Sequence, residues 1–169
     1  MTGRVTDGVR IRSAEPHETK LLSELAFASK AYWGYDAEFM RRCVAELTVT
    51  RKQIESDAHA VFVCEHENEV RGFYALAFLH DGGVELDALF VAPAYIGQGY
   101  GRRLLEHAAT TARDGGALMM TIQGDPNADA FYRAMGAQPT GTRASASIPG
   151  RFLPLYSLPL AAERRRENS

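Results

Sequence analysis

At 169 residues, with 46% hydrophobic and 24% charged side chains, the chain has the size and composition of one globular domain that buries roughly two-thirds of its extended surface. A formal charge of -2 offers no field to gather nucleic acid or acidic lipid, and no apolar run approaches the roughly 20 residues that span a bilayer. The first residues, MTGRVTDGVR, lack the apolar centre of a signal peptide, and Cys43 and Cys64 suit neither a disulfide framework nor a zinc site, so a cytoplasmic protein without a metal is expected.

Val9-Arg10-Ile11-Arg12 alternates apolar and charged residues, as a half-buried strand does. Pro16 suits the first turn of a helix with the stripe Leu21, Leu22, Leu25, Ala26 and Ser29, ending near Ala31. Asp36 caps a second helix whose stripe is Phe39, Met40, Cys43, Val44 and Leu47. The connection between them, Tyr32-Trp33-Gly34-Tyr35, either lines a binding cleft or plugs the end of the domain. Residues 48–57 are polar and turn-like, with a short helical piece around Lys52 to Glu55. Ala58 to Glu65 and Val70 to Leu79 read as a hairpin about Asn68. Asp81-Gly82-Gly83 is the next turn, leading into an apolar strand, Leu86 to Val91, that stops at Pro93.

Gly97, Gly99 and Gly101 follow at every second position, then a helical stripe of Leu104, Leu105, Ala108, Ala109 and Ala112 that ends at Asp114-Gly115-Gly116. Leu118 to Ile122 is another buried strand. Asp125-Pro126-Asn127 caps a short helix containing Phe131, Tyr132 and Met135, closed by Gly136. Thr140 to Ser147 and Phe152 to Leu158 are strand-like about a turn at Ile148-Pro149-Gly150. A single domain over residues 1–160 and a disordered tail over 161–169 complete the reading. The order β-α-α-β-β-β-α-β-α-β-β implies an α/β (α+β) fold: a mixed, mostly antiparallel central sheet of about seven strands with helices on both faces.

Strand, glycine turn and helix together make an anion site, because glycine frees the backbone N–H groups and the helix N-terminus carries about half a positive charge. A nucleotide P-loop needs Gly-Lys-Ser/Thr, whereas Gly101 precedes Arg102-Arg103. The spacing G-x-G-x-G also departs from the dinucleotide fingerprint, and the strand before it belongs to an antiparallel meander. A glycine turn that holds no ligand is the remaining alternative.

The segment Val91 to Arg102, VAPAYIGQGYGR, resembles the acyl-CoA loop of the GCN5-related N-acetyltransferases, whose pattern is Q/R-x-x-G-x-G/A between a strand and a helix. Asn127 to Ala137, NADAFYRAMGA, resembles that family's Asn…Phe-Tyr…Gly-Phe segment. Ile96 stands where the family has Gln or Arg, Asn127 precedes Tyr132 by five residues in place of seven, and Ala137 replaces Phe. The resemblance implies the acyl-CoA N-acyltransferase fold and transfer of an acetyl group from acetyl-CoA to a primary amine, attacked directly in a ternary complex. It implies that Phe90 and Val91 pair their backbone with the pantetheine arm, and that Ile96, Gly97, Gln98, Gly99, Tyr100, Gly101, Arg102 and Arg103 hold the pyrophosphate. Asn127 and Tyr132 would reach the same arm. A Cβ on Gly99 or Gly101 is expected to obstruct the coenzyme or strain the backbone.

By the same resemblance Tyr132 is the acid that protonates the leaving thiolate, and a bulge in the strand aims a backbone N–H at the acyl carbonyl. For the base, Glu85 has the spacing of the glutamate in the family's histone-acetylating branch; Asp87, on the same strand face, and a water relay are the other options. Either carboxylate has the alternative of an ion pair with an arginine at the sheet surface. The acceptor is expected over the Trp33–Tyr35 loop and the Pro149–Arg151 turn, with Trp33, Tyr35, Asp87 and Arg151 touching a partly apolar or cationic amine, either a small molecule or a peptide or protein amine. Family members often form homodimers. The five histidines show no metal-ligand spacing, and His17 and His107 are expected as exposed helix residues. Two alternatives stay open: an acyl-CoA-binding regulator without catalysis, and transfer of a longer acyl group.

Overall fold

The computed structural model describes residues 8–160; the expected tail at 161–169 lies outside them. The first strand, β1 (Arg10–Ser13), leads through a short 3-10 turn at Pro16–Glu18 into helix α1 (Thr19–Ala31). That helix buries Leu22, Leu25, Ala26 and Ser29, while Leu21, the fifth residue of the expected stripe, is exposed. Asp36 accepts a hydrogen bond from the Phe39 backbone N–H and so starts α2 (Ala37–Leu47), satisfying one of the free donors of its first turn. Val44 falls outside the buried stripe of this helix. The short α3 (Arg51–Glu55) opens with a reciprocal Thr50–Gln53 capping box.

Three antiparallel strands follow: β2 (His59–His66), β3 (Glu69–Phe78) and β4 (Val84–Val91). Glu67 and Asn68 both take positive φ between β2 and β3, the geometry a two-residue hairpin turn requires. Helix α4 (Tyr100–Asp114) then crosses to β5 (Met119–Gln123), which pairs β4 in parallel. A 3-10 turn at Pro126–Ala128 and α5 (Asp129–Ala134) connect to β6 (Gln138–Ala144) and β7 (Phe152–Pro159). The seven strands lie in the order β1-β2-β3-β4-β5-β7-β6. The expected mixed, mostly antiparallel sheet is therefore present.

Two apolar clusters cover opposite faces. Leu104, Leu105, Ala108 and Ala112 of α4 pack with Tyr74, Leu76, Leu86, Met120 and Ile122 on one face. Leu22, Leu25 and Ala26 of α1 and Met40, Cys43 and Leu47 of α2 cover Val61, Val63, Phe73 and Ala75 on the other. His107 departs from the expected exposed position: it is half-buried, with Nδ1 2.7 Å from the hydroxyl of the fully buried Tyr74. Burial there disfavours its charged form and holds its pKa below the ordinary histidine value. Among the described residues no helix is long and apolar enough to cross a membrane, and no group of His, Cys, Asp or Glu side chains is arranged to hold a metal ion.

The feature that positions the site is a break in strand alternation. The β3–β4 register shifts between Ala75 and Leu76, so that Asp87 stands as an extra residue between Leu86 and Ala88. Leu86 faces the α4 side, yet Ala88 and Phe90 face the α1–α2 side while Leu89 and Val91 return to α4. The parallel ladder with β5 ends at the same place, at Leu86 opposite Ile122. Beyond it β4 continues to Val91 without a partner strand on its β5 side among the described residues, and the sheet opens between the two strands.

Candidate active site

A cleft of about 630 Å³ occupies that opening. Leu86 to Val91 form one wall and Gln123, Gly124, Asp125, Phe131 and Tyr132 form the opposite one. At one end, Ile96, Gly97, Gly99, Gly101 and Arg102 line it beside the N-terminus of α4. Gly97 and Gly99 have φ of +82° and +92°, a region that costs an L-residue about 1–2 kcal/mol, and Gly99 is the N-cap of α4. Gly101 has ordinary helical geometry, and a Cβ there would only touch the Phe131 ring at 3.5 Å, so neither strain nor a protein clash requires glycine at this position. The turn is held from behind by Arg71, which is buried in β3 and lays its guanidinium 3.7 Å above the Tyr95 ring. The Tyr95 hydroxyl donates to Glu69 at 2.9 Å.

The other end is lined by charged side chains: Lys30, Glu46, Glu85, Asp87 and Arg143, together with Trp33. Arg143 of β6 donates to Glu85 at 3.0 Å. Asp87 makes no hydrogen bond or ion pair with any described residue. Its side chain reaches solvent, but desolvation by the surrounding protein, reinforced by the negative charge of Glu85, holds its carboxyl above the ordinary aspartate range; His59 and Arg143 oppose that shift. Tyr132 is 6% exposed, with its ring between Phe131 and Tyr156. Its hydroxyl has no hydrogen-bond partner among the described residues, and burial drives its pKa upward, so it stays protonated across the physiological range.

The profile of the acetyltransferase (GNAT) family matches residues 25–137, which include both cleft walls and the glycine turn. The chain belongs to the GNAT family. An uncharacterised N-acetyltransferase of Mycobacterium tuberculosis is 32% identical over 87 residues, 50% of this chain and 56% of that protein. The chain thus spans little more than half the length of that relative. A 5-NmdU N-acetyltransferase of Pseudomonas phage PaMx11 is 28% identical over 147 residues, 86% of this chain and 96% of that one. Among solved structures, the PaiA N-acetyltransferase of Thermoplasma acidophilum in complex with coenzyme A superposes with a TM-score of 0.71 at 18% identity, covering 89% of this chain and 98% of that chain. The last of these likenesses is one of fold.

Within this GNAT chain the residues singled out from sequence are not all brought together. Phe90, Val91, Ile96, Gly97, Gly99, Gly101, Arg102, Asn127, Tyr132, Glu85, Asp87 and Trp33 line the cleft. Gln98 turns its amide to the Ala94 carbonyl at 3.3 Å, and Tyr100 is buried in the α4 core with its hydroxyl 3.3 Å from His66 Nδ1, so from these two only main-chain groups stand at the turn. Arg102 is engaged by Glu106 at 3.1 Å, and Arg103 is exposed on α4. Tyr35 and Arg151 do not line the cleft; they bond to each other, Arg151 Nη2 donating to the Tyr35 hydroxyl at 2.8 Å. Sequence reasoning passed over Lys30, Glu46 and Arg143. Their only signal was a charged residue at a helix end or on an edge strand, which ordinarily means a solvated surface.

Proposed function

We propose that the chain transfers an acetyl group from acetyl-CoA to a primary amine by direct attack in a ternary complex. The observation that carries this reading is the opening between β4 and β5 with the N-terminus of α4 at its end. An unpaired strand edge offers amide and carbonyl groups to an extended pantetheine arm, as an added strand would use them. The glycine turn and the helix N-terminus offer N–H groups and partial positive charge to a pyrophosphate. This donor set is main-chain in character, which suits Ile96, a side chain without a polar group. Acetyl-CoA is a substrate here, and its thioester carbonyl would lie beside the bulge, where free β4 N–H groups stabilise developing oxyanion charge.

The chemistry asked of the chain is then limited. The amine nitrogen forms a bond to the carbonyl carbon, the carbon–sulfur bond breaks, and the nitrogen loses a proton. We assign that proton to Asp87, directly or through a water, because Arg143 already engages Glu85 while Asp87 makes no ion pair within 4 Å among the described residues. A carboxylate raised above its ordinary value is a better acceptor of an ammonium proton. Tyr132, protonated across the physiological range, donates a hydrogen bond to the departing sulfur and stabilises the thiolate as its charge builds, keeping its own proton. Trp33 at the charged end fits an acceptor that is partly apolar or cationic.

The test is thiol release on mixing the protein with acetyl-CoA and a panel of amines, peptides and aminomethyl nucleosides. Tyr132→Phe is expected to lower kcat by about 100-fold without weakening acetyl-CoA binding. Coenzyme A is expected to slow amide exchange from Gly97 to Arg103. Turnover without such protection removes the glycine turn from the site; protection without turnover of any amine leaves a CoA-binding protein in place of an enzyme.

A further inference from the structure

Across the cleft from the glycine turn, four side chains from three segments converge on one carboxylate. Asp125 accepts from the Tyr35 hydroxyl at 2.8 and 3.0 Å and from the Asn127 side-chain amide at 2.8 Å, with Lys30 Nζ at 3.4 Å and Arg151 Nη2 at 3.8 Å. The Tyr35 ring stacks on Phe39 at 4.2 Å, and the Lys30 and Arg151 cations lie over that pair. Lys30, Asp125 and Arg151 side chains are only 10%, 18% and 19% exposed, so these charges act in partial shelter from water. Burial alone would raise the Asp125 pKa, but the Asn127 amides, Tyr35 and Lys30 override it and bring it below the ordinary value. The network joins the α1–α2 connection to the β6–β7 turn, the two rims between which the acceptor was expected to pass.

Asp125 also belongs to the opposite wall. It accepts from the Asn127 backbone N–H at 2.9 Å and so caps the turn that runs into α5, the helix carrying Tyr132. Its neighbour Gly124 lies so close to Tyr132 that an added Cβ would stand 3.0 Å from Cε2 of that ring. The Tyr156 hydroxyl donates to Asp129, fastening α5 to β7.

We propose that Asp125 is a positioning residue: through the Tyr35–Asp125–Arg151 latch it makes assembly of the acceptor wall and placement of Tyr132 a single event. The inference rests on the acetyltransferase reading and adds to it a cleft-wall residue whose carboxylate is taken up by protein partners. The latch shares no residue with Gly97–Arg103, so its loss is expected to leave the pyrophosphate end intact.

Tyr35→Phe tests this, since it keeps the ring on Phe39 and removes only the hydroxyl. With an amine that turns over, kcat is expected to fall about 10- to 100-fold, the range of one hydrogen bond to a charged group, with the acetyl-CoA KM within about twofold of its parent value. In a Tyr132→Phe background the same change is expected to lower kcat by less than about twofold, because residues that act through one another are not additive. Equal losses in both backgrounds, or a parallel rise in the acetyl-CoA KM, overturn the proposal while leaving the acetyltransferase reading intact. Absence of turnover from the parent protein overturns that reading instead. Hydrogen exchange follows the latch without activity: amides at 32–35 and at 148, 150 and 151 are expected to speed up together, and a response in only one segment overturns it. Should Tyr35→Phe melt below the assay temperature, Asp125→Asn, which keeps the volume and an acceptor oxygen for the cap, takes its place with the same expected outcomes.

Discussion

The two ends of the cleft are built from different materials. The glycine-turn end consists of backbone: an unpaired strand edge, two residues with positive φ and a helix N-terminus. The opposite end consists of side chains drawn from α1, α2, β4, β6 and the turn after β5. Backbone donors are present whatever the side chains are, so the first end survives a change such as Ile96 for a polar residue. Side-chain charges define the second end residue by residue, and those sheltered from water, such as Lys30 and Asp125, are balanced by a partner. The difference teaches where variation can act: substitutions at the first end are felt through conformation, and those at the second through charge and proton placement.

The largest effect that would break this comparison is expected at Gly72. An added Cβ would stand 2.6 Å from the Phe90 carbonyl oxygen, a backbone atom of the cleft wall that cannot rotate away. Gly72→Ala is expected to cost about 3 kcal/mol in stability by overpacking, read by denaturant unfolding. An unchanged midpoint would mean that β4 is looser than the sheet geometry requires.

Asp87→Asn probes the side-chain end. A loss of about 100-fold in kcat is expected, with little change in acetyl-CoA binding, as for removal of a general base. The pH–rate profile of the parent should rise through a pKa above the ordinary aspartate value, and the variant should lose that limb. Stability gives an independent sign. The folded carboxyl holds its proton more tightly than the unfolded one, so its contribution is full below about pH 3.9 and is lost as pH rises through the folded value. Asp87→Asn should therefore melt higher than the parent at neutral pH and lose that advantage in acid. A destabilised variant at pH 7 would show Asp87 to be a paired, structural carboxylate.

Gly99→Ala sharpens the other side. The φ of +92° at this N-cap predicts a penalty of about 1–2 kcal/mol, expressed as about tenfold weaker coenzyme A binding in calorimetry with the acceptor KM unmoved. A matching rise in acceptor KM would dissolve the division between the two ends. The smallest effect is expected from Trp33→Ala: its ring is 44% exposed at the cleft margin, and an acceptor KM raised by about threefold would suit one weak aromatic contact. No change with any amine would assign Trp33 to the surface.

Much of the architecture was legible in order along the chain, because it rests on local rules. Asp36 and Asp125 cap where short polar residues before apolar periodicity should cap, and Gly97 and Gly99 adopt the positive φ that only glycine takes cheaply. The strand and helix order follows from periods of 2 and 3.6, and these fix the neighbours that a meander and a crossover permit. What the sequence could not decide by itself was everything that depends on long-range register. One extra residue at Asp87 reverses which side chains of β4 face α1 and α2; the family resemblance implied a bulge in this strand, but no spacing in LDALFV places it. The pairing of Glu85 with Arg143, 58 residues away, and of Tyr35 with Asp125, 90 residues away, depends on which rims the folded sheet brings within 3 Å. His107 had the pattern of an exposed helix residue until Tyr74, buried beneath it, supplied a hydroxyl. Local sequence determined the backbone end of the cleft, since its donors are properties of turns and helix termini; tertiary structure decided the charged end, since an ion pair exists only where two distant segments meet.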